Sequence, residues 1–204
     1  MARSRKERTE QARPALLQLL RTRSFRRETV MLASGRESDW FIDCKPAVLT
    51  AEGHALAAEL MLDALRHLPR CDAVAGVALG GCPLASAVSM LSHQRHRPLD
   101  ALYVRKEAKG HGTKNLIEGT LGSGTKVVML EDVITTGQST ARAVGSLRTA
   151  GAEVVGVVAL VDRLEGGVEN LYREGLEVFS VYTRHDFMTP EDPLSSTLTD
   201  TVLD

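Results

Sequence analysis

The sequence predicts an α/β protein: a mainly parallel sheet with helices on both faces, preceded by a small N-terminal helix and hairpin hood. Three observations predict it. Apolar runs near residues 73–79, 99–105, 126–130, 153–161 and 176–182 read as strands, and helical patterns fill most of the gaps between them. The run Val127, Val128, Met129, Leu130 is continuous rather than alternating, as suits a strand buried on both faces of a parallel sheet. A chain of 204 residues is long enough for one sizeable core, or one core with a small subdomain. The organisation expected is a hood over residues 1–48, a core over 49–187 and a tail over 188–204 that is rich in Ser and Thr and carries Pro190 and Pro193.

Taken in order, residues 7–22 form an amphipathic helix whose apolar face is Leu16, Leu17, Leu19 and Leu20. Its flanks are basic, with Arg3, Arg5, Lys6 and Arg8 before and Arg21, Arg23, Arg26 and Arg27 after; a solvated helix end or subunit contact fits them better than a nucleic-acid arm. In residues 30–46, Ser34-Gly35 signals a turn between two short β-like runs, and Trp40, Phe41 and Ile42 supply an aromatic and apolar wall. A helix follows over 51–68. Beyond the next strand, Gly80-Gly81 and a helix starting near Pro83 let backbone N–H groups approach an anionic ligand closely.

After Leu102, Tyr103 and Val104 comes RKEAKGHGTKNLIEG, residues 105–119. Arg105, Lys106, Lys109, His111 and Lys114 are packed among Gly110 and Gly112, which reads as a mobile basic loop. Next, the 126–130 strand ends in Glu131 and Asp132 and enters the turn Thr135, Thr136, Gly137, Gln138, Ser139, Thr140, which opens a helix marked by Ala143, Val144, Leu147 and Ala150. Hydroxyls and unpaired N–H groups at a helix N-terminus bind phosphate, because the donors and the positive end of the helix dipole point at it together. Carboxylates just upstream suit ribose hydroxyls. The ligand these residues predict therefore has a sugar on one side and a phosphate on the other. Residues 154–167 repeat the arrangement, with an apolar run ending in Asp162-Arg163; the guanidinium fork suits a planar carboxylate-bearing substrate, and an ion pair between the two residues is the plain structural alternative.

The run, acids and turn of residues 127–140 resemble the signature of the type I phosphoribosyltransferases. Within them, RKEAKGHG, the hairpin SGRESDWFID and Arg163 resemble the orotate phosphoribosyltransferases, over roughly residues 7–187. The resemblance implies the type I phosphoribosyltransferase fold and a step of de novo pyrimidine (UMP) synthesis: N1 of orotate attacks C1′ of phosphoribosyl pyrophosphate (PRPP), giving orotidine 5′-monophosphate and pyrophosphate. It implies that Glu131 and Asp132 hold the ribose, that Val133, Ile134, Thr135, Thr136, Gly137, Gln138 and Ser139 complete the PRPP cradle, and that Gly80 and Gly81 form a pyrophosphate loop. Arg105, Lys106, Lys109 and His111 would bind PRPP from the loop. Lys109 and His111 would act on the leaving group, and Asp132 on the ribose as positive charge develops at C1′. Orotate would meet Phe41, Thr135 and Arg163. The implied cofactor is Mg²⁺, held mainly through substrate with no firm protein ligand. The implied assembly is a homodimer with loop 105–117 shared across the interface. Two departures stand out, since Ala33 and Gly80 occupy positions where relatives carry lysine. The alternatives are a phosphoribosyltransferase for another base, a PRPP-binding regulator of nucleic acid and a non-catalytic subunit.

A net charge of −1 gives no drive toward nucleic acid or membrane, and no apolar run is long enough to span a bilayer. There is no signal-peptide pattern, and Cys44, Cys71 and Cys82 have no CxxC spacing, so a reduced cytoplasmic setting without structural zinc is expected. Cys82 beside the glycine loop reads as a small buried thiol rather than a nucleophile.

Overall fold

The computed structural model describes residues 3–28, 30–31, 37–38, 40–107 and 116–188. Helix α1 (Arg5–Arg23) opens with a capping box in which Ser4 Oγ accepts from Glu7 N at 3.3 Å and the Glu7 carboxylate accepts from Ser4 N at 2.7 Å. Short strands β1 (Phe25–Arg26), β2 (Val30–Met31), β3 (Glu37–Ser38) and β4 (Phe41–Ile42) pair antiparallel, β1 with β4 and β2 with β3. The expected hairpin is therefore present in its flanks, while its turn at Ser34-Gly35 lies outside the described residues. Helices α2 (Lys45–Val48) and α3 (Ala51–Ala64) follow. The sequence pattern carried the latter helix to residue 68, but the α-helix ends at Ala64 and Leu65–His67 tighten into a 3₁₀ turn.

The remaining elements are β5 (Ala73–Val77), α4 (Gly81–Gln94), β6 (Asp100–Val104), β7 (Ile117–Glu118), β8 (Lys126–Ile134), α5 (Gln138–Thr149), β9 (Glu153–Asp162), α6 (Gly167–Arg173), β10 (Val178–Thr183) and α7 (Arg184–Phe187). Six strands form one sheet in the order β10-β9-β8-β5-β6-β7. Every neighbouring pair is parallel except β6 with β7. The predicted fold class is thus borne out. Two local expectations are corrected. Within the stretch read as a mobile basic loop, Ile117–Glu118 pair antiparallel with β6 as an edge strand. Strand β8 also does not stop at Leu130; its pairing with β9 continues through Glu131↔Ala159 and Val133↔Val161 to Ile134↔Asp162, because β9 runs alongside it as far as Asp162.

Side chains alternate across the strands and build two cores. On one face Val74, Val128, Leu130, Val158 and Leu160 pack with Ala12, Leu16 and Leu20 of α1, Met61 of α3 and Leu84 of α4. On the other face Ala75, Leu102, Val127, Met129 and Val157 pack with Val144 and Leu147 of α5 and Leu171 of α6. Trp40 is fully buried in the first core, against Phe25 and Phe187. The basic flank of α1 is tied down by acids of α3: Arg8 pairs with Glu59, and Arg5 with Asp63.

Candidate active site

The extension of β8 past Leu130 decides what the two adjacent acids do. Asp132 continues the face of Val128 and Leu130, toward α4, and Glu131 continues the face of Val127 and Met129, toward α5. The Glu131 carboxylate accepts a hydrogen bond from Thr140 Oγ1 at 2.8 Å and is almost fully buried. Burial, with the charge of Asp132 beside it, pushes the Glu131 carboxyl up to about 8. Asp132 is more open. Its Oδ1 accepts from Val133 N at 3.0 Å, and a Cβ built on Gly80 would lie 2.0 Å from its Oδ2. Gly80 therefore has no side chain because the Asp132 carboxylate lies where one would begin. A lysine at position 80 would require Asp132 to turn away.

Gly81, predicted with Gly80 as a pyrophosphate loop, opens α4 and is buried. A Cβ there would come within 2.6 Å of Leu130 O and 3.0 Å of Gly76 Cα, so this glycine lets the helix lie directly on the sheet. Ala78, Leu79 and Gly80 border a cavity of about 480 Å³ together with Glu131, Asp132, Val133, Ser139, Lys45 and Lys106. The cavity lies at the carboxyl ends of parallel strands, where open α/β sheets bind ligands.

The turn after β8 is held from outside. Gly137 caps α5 with φ of 76°, a conformation glycine adopts without steric cost, and a Cβ on it would meet Gly167 O at 2.8 Å. Thr136 O accepts from Asn170 Nδ2 at 3.1 Å. The first N–H groups of α5, from Gln138 and Ser139, thus open beside this pinned turn. Ile134 differs from its neighbours: its side chain is buried, and its carbonyl accepts from Arg163 N at 3.0 Å.

Arg163 is buried, with its guanidinium 4.8 Å from the Trp40 ring centre. Its Nη2 donates to Trp40 O at 3.2 Å and forms an ion pair with Glu165 at 2.9 Å. The strand-end pair weighed for Asp162 and Arg163 is not the one formed; Asp162 Oδ1 instead accepts from Leu164 N at 2.9 Å. Phe41 is half-buried and pairs with Arg26 across β1 and β4. Neither Arg163 nor Phe41 borders the 480 Å³ cavity.

At the base of the basic loop, Arg105 N donates to Leu116 O at 2.8 Å and its guanidinium pairs with Glu118 at 3.3 Å. Lys106 borders the cavity, and Lys109 and His111 lie outside the described residues. A wider cleft of about 860 Å³ runs from Arg105 and Lys106 along α5 to Arg142 and Ser146. Among the described residues no three His, Cys, Asp or Glu side chains cluster to hold a metal. The carboxylates on β8 offer hard oxygen donors, which fit Mg²⁺ only if substrate and water complete its shell. Cys82 is half-buried, and burial, with Glu131 nearby, raises its thiol above the ordinary value, opposite to an activated nucleophile.

The sequence reading missed Lys45. Nothing in DCKP marks it, since its significance lies in contacts made far along the chain. Burial alone would lower the Lys45 ammonium, but its hydrogen bond to Asp43 and the charges of Asp43 and Asp132 outweigh burial and raise it.

A sequence profile of the phosphoribosyl transferase domain matches residues 50–186. The orotate phosphoribosyltransferase of Sorangium cellulosum (strain So ce56) is 64% identical over 183 residues, spanning 89% of this chain and 95% of that protein. The chain belongs to the orotate phosphoribosyltransferase family. Among solved orotate phosphoribosyltransferases, that of Mycobacterium tuberculosis H37Rv in complex with Fe(III) dicitrate matches with a TM-score of 0.76 and 39% identity, covering 87% of this chain and 99% of that one. The same enzyme in complex with PRPP matches with a TM-score of 0.71 and 36% identity, covering 86% and 98%. The resemblance seen in the motifs of this orotate phosphoribosyltransferase family member thus extends over nearly the whole fold. No described helix is long and apolar enough to cross a membrane.

Proposed function

We infer that the chain transfers the 5-phosphoribosyl group of PRPP to N1 of orotate, giving orotidine 5′-monophosphate and pyrophosphate. The observation that carries this reading is the single cavity shared by the Ala78–Gly80 loop, Asp132, Ser139 and Lys106 at the carboxyl ends of the sheet. In the reaction N1 of orotate gives up its proton and bonds to C1′ while the C1′–oxygen bond to diphosphate breaks, the electron pair leaving with pyrophosphate and the proton passing to pyrophosphate or solvent. Asp132 takes the ribose hydroxyls and faces the positive charge that develops at C1′. Glu131, protonated over much of the neutral range, orients the ribose from the α5 side. The turn from Thr135 to Ser139 takes the 5′-phosphate, using hydroxyls and the N-terminal N–H groups of α5. Loop cations Arg105, Lys106, Lys109 and His111 offset charge on the departing pyrophosphate.

Orotate is assigned to the side of Phe41, Thr135 and Arg163. The bond from Arg163 N to Ile134 O supports this, since it fixes the arginine one strand away from Thr135. Residues 49–187 carry the transfer in this reading, residues 1–48 form a hood over the base, and two chains pair with loop 105–117 shared between them. Bound Mg²⁺ would neutralise diphosphate charge as a Lewis acid and would be held mainly through the substrate's own oxygens, with Asp132 the β8 carboxylate available to its shell. The test is loss of orotate absorbance on adding PRPP and Mg²⁺, with adenine, guanine, hypoxanthine and uracil in parallel. A fall needing all three components supports the reading. Turnover of another base instead would discard the orotate assignment, and no turnover with any base would discard catalysis.

A further inference from the structure

We propose that Lys45 is a substrate-binding residue that grips the diphosphate of PRPP from the hood side and supplies the cation that Ala33 lacks. This rests on the phosphoribosyl transfer inferred above. Lys45 opens α2, and its place is fixed from two directions. Before it, Cys44 is fully buried with Sγ 3.7 Å from Asp132 O, which anchors the start of α2 to the strand that carries the acid. Beside it, the Asp43 carboxylate accepts from Lys45 N at 3.1 Å and from Nζ at 2.6 Å. So held, Lys45 borders the same cavity as Gly80 and Asp132.

Two ammonium groups border that cavity from different elements, Lys106 from the base of the basic loop and Lys45 from the hood. An arrangement that brings like charges to one space suits an anion between them. The resemblance assigns the diphosphate of PRPP to the loop that carries Gly80, and that loop lines this cavity through Ala78, Leu79 and Gly80, whereas the phosphate turn contributes only Ser139. The tie to Asp43 does not oppose the role. The side chain of Lys45 is 46% exposed, so the ion pair is screened and weak, and the ammonium has three donors of which Asp43 Oδ1 takes one. Asp43 positions the ammonium and leaves donors for a ligand of higher charge.

The experiment compares the parent protein with Lys45→Met, Lys45→Arg and Asp43→Asn. It measures turnover, the KM of each substrate, and binding of PRPP with Mg²⁺ by titration calorimetry. Loss of one charge-assisted contact should raise the PRPP KM and Kd of Lys45→Met by roughly tenfold to a hundredfold. The orotate KM should stay within about threefold, since the base is bound elsewhere. Lys45→Arg keeps the charge and should recover most of the PRPP affinity. Asp43→Asn removes the ion pair that positions the ammonium but leaves the ammonium itself, so its PRPP KM should rise by clearly less than that of Lys45→Met. Parental PRPP affinity in Lys45→Met would overturn the proposal, as would a loss in Asp43→Asn equal to that in Lys45→Met, which would make the pair structural. If the parent does not turn over orotate, the transfer reading fails; the calorimetric comparison still decides whether Lys45 binds PRPP.

Discussion

Glu131 and Asp132 are neighbours in sequence but have different chemistry, because a strand sends successive side chains to opposite faces. Glu131 goes to the α5 side, where burial and the adjacent Asp132 charge keep its proton up to about pH 8 and Thr140 donates to it. The consequence for stability has a definite sign. The unfolded chain gives up this proton in the ordinary carboxylate range, while the folded chain retains it. The contribution of Glu131 to stability is therefore complete below the ordinary carboxylate value and is lost as pH rises through about 8. Glu131→Gln keeps an acceptor for Thr140 and cannot ionise. Its melting temperature should fall less than that of the parent, by a few degrees, between about pH 6 and about pH 9. Parallel melting curves for the two proteins across that range would show instead that Glu131 is already ionised in the folded state. The adjacency of the acids was legible in the sequence. Their division was not, because it depends on where β8 ends, and that is set by the length of β9 beside it.

At the level of elements, the contact between α4 and β5 sets the geometry of the cavity, and it is made by glycines. Gly76 and Gly81 approach so closely that a Cβ on either would collide with backbone, which cannot rotate aside. Gly81→Ala should therefore lower stability by about 1–3 kcal/mol, seen as a lower urea midpoint at unchanged slope. Gly145 on the exposed side of α5 is the opposite case, with nothing within 4 Å of a Cβ, so Gly145→Ala should stabilise by about 0.5–1 kcal/mol. Equal effects from the two would mean that helix propensity, not the α4–β5 contact, governs both. The parallel strands and the hydroxyl-rich turn that opens α5 were readable because each leaves a local mark, whether a continuous apolar run or a hydroxyl and glycine cluster. Strand β7 left none, being two residues long. Nor did the setting of Arg163 between Trp40 and Glu165, which joins residues more than a hundred positions apart. Within the basic loop, the proposed transfer uses the charge of Lys109 mainly as pyrophosphate departs, so Lys109→Ala should cut turnover roughly a hundredfold and leave orotate binding nearly intact. Unchanged turnover would remove the loop from the reaction.

For the whole molecule, the question is whose cavity the loop serves. Its base belongs to its own chain, with Arg105 pinned to Leu116 and Lys106 at the border of the cavity. Beyond that base, half of residues 105–117 fully extended would span about 20 Å, enough to enter a neighbouring site only if two chains meet near the β6–β7 edge of the sheet. Such sharing makes each site a composite, with the strand-borne acid from one chain and the loop cation from the other. Lys109→Ala and Asp132→Ala then damage different halves of the same site, and subunit exchange should repair one site in every mixed dimer. Random exchange of equal amounts makes half of the dimers mixed with one complete site each, so the mixture should regain roughly a quarter of parental activity. The measurement is orotate turnover before and after mixing, with exchange followed by mass-tagged subunits. If exchange is complete and activity stays at the sum of the two single variants, the loop closes over the cavity of its own chain, and dimerisation, where it occurs, serves stability rather than catalysis.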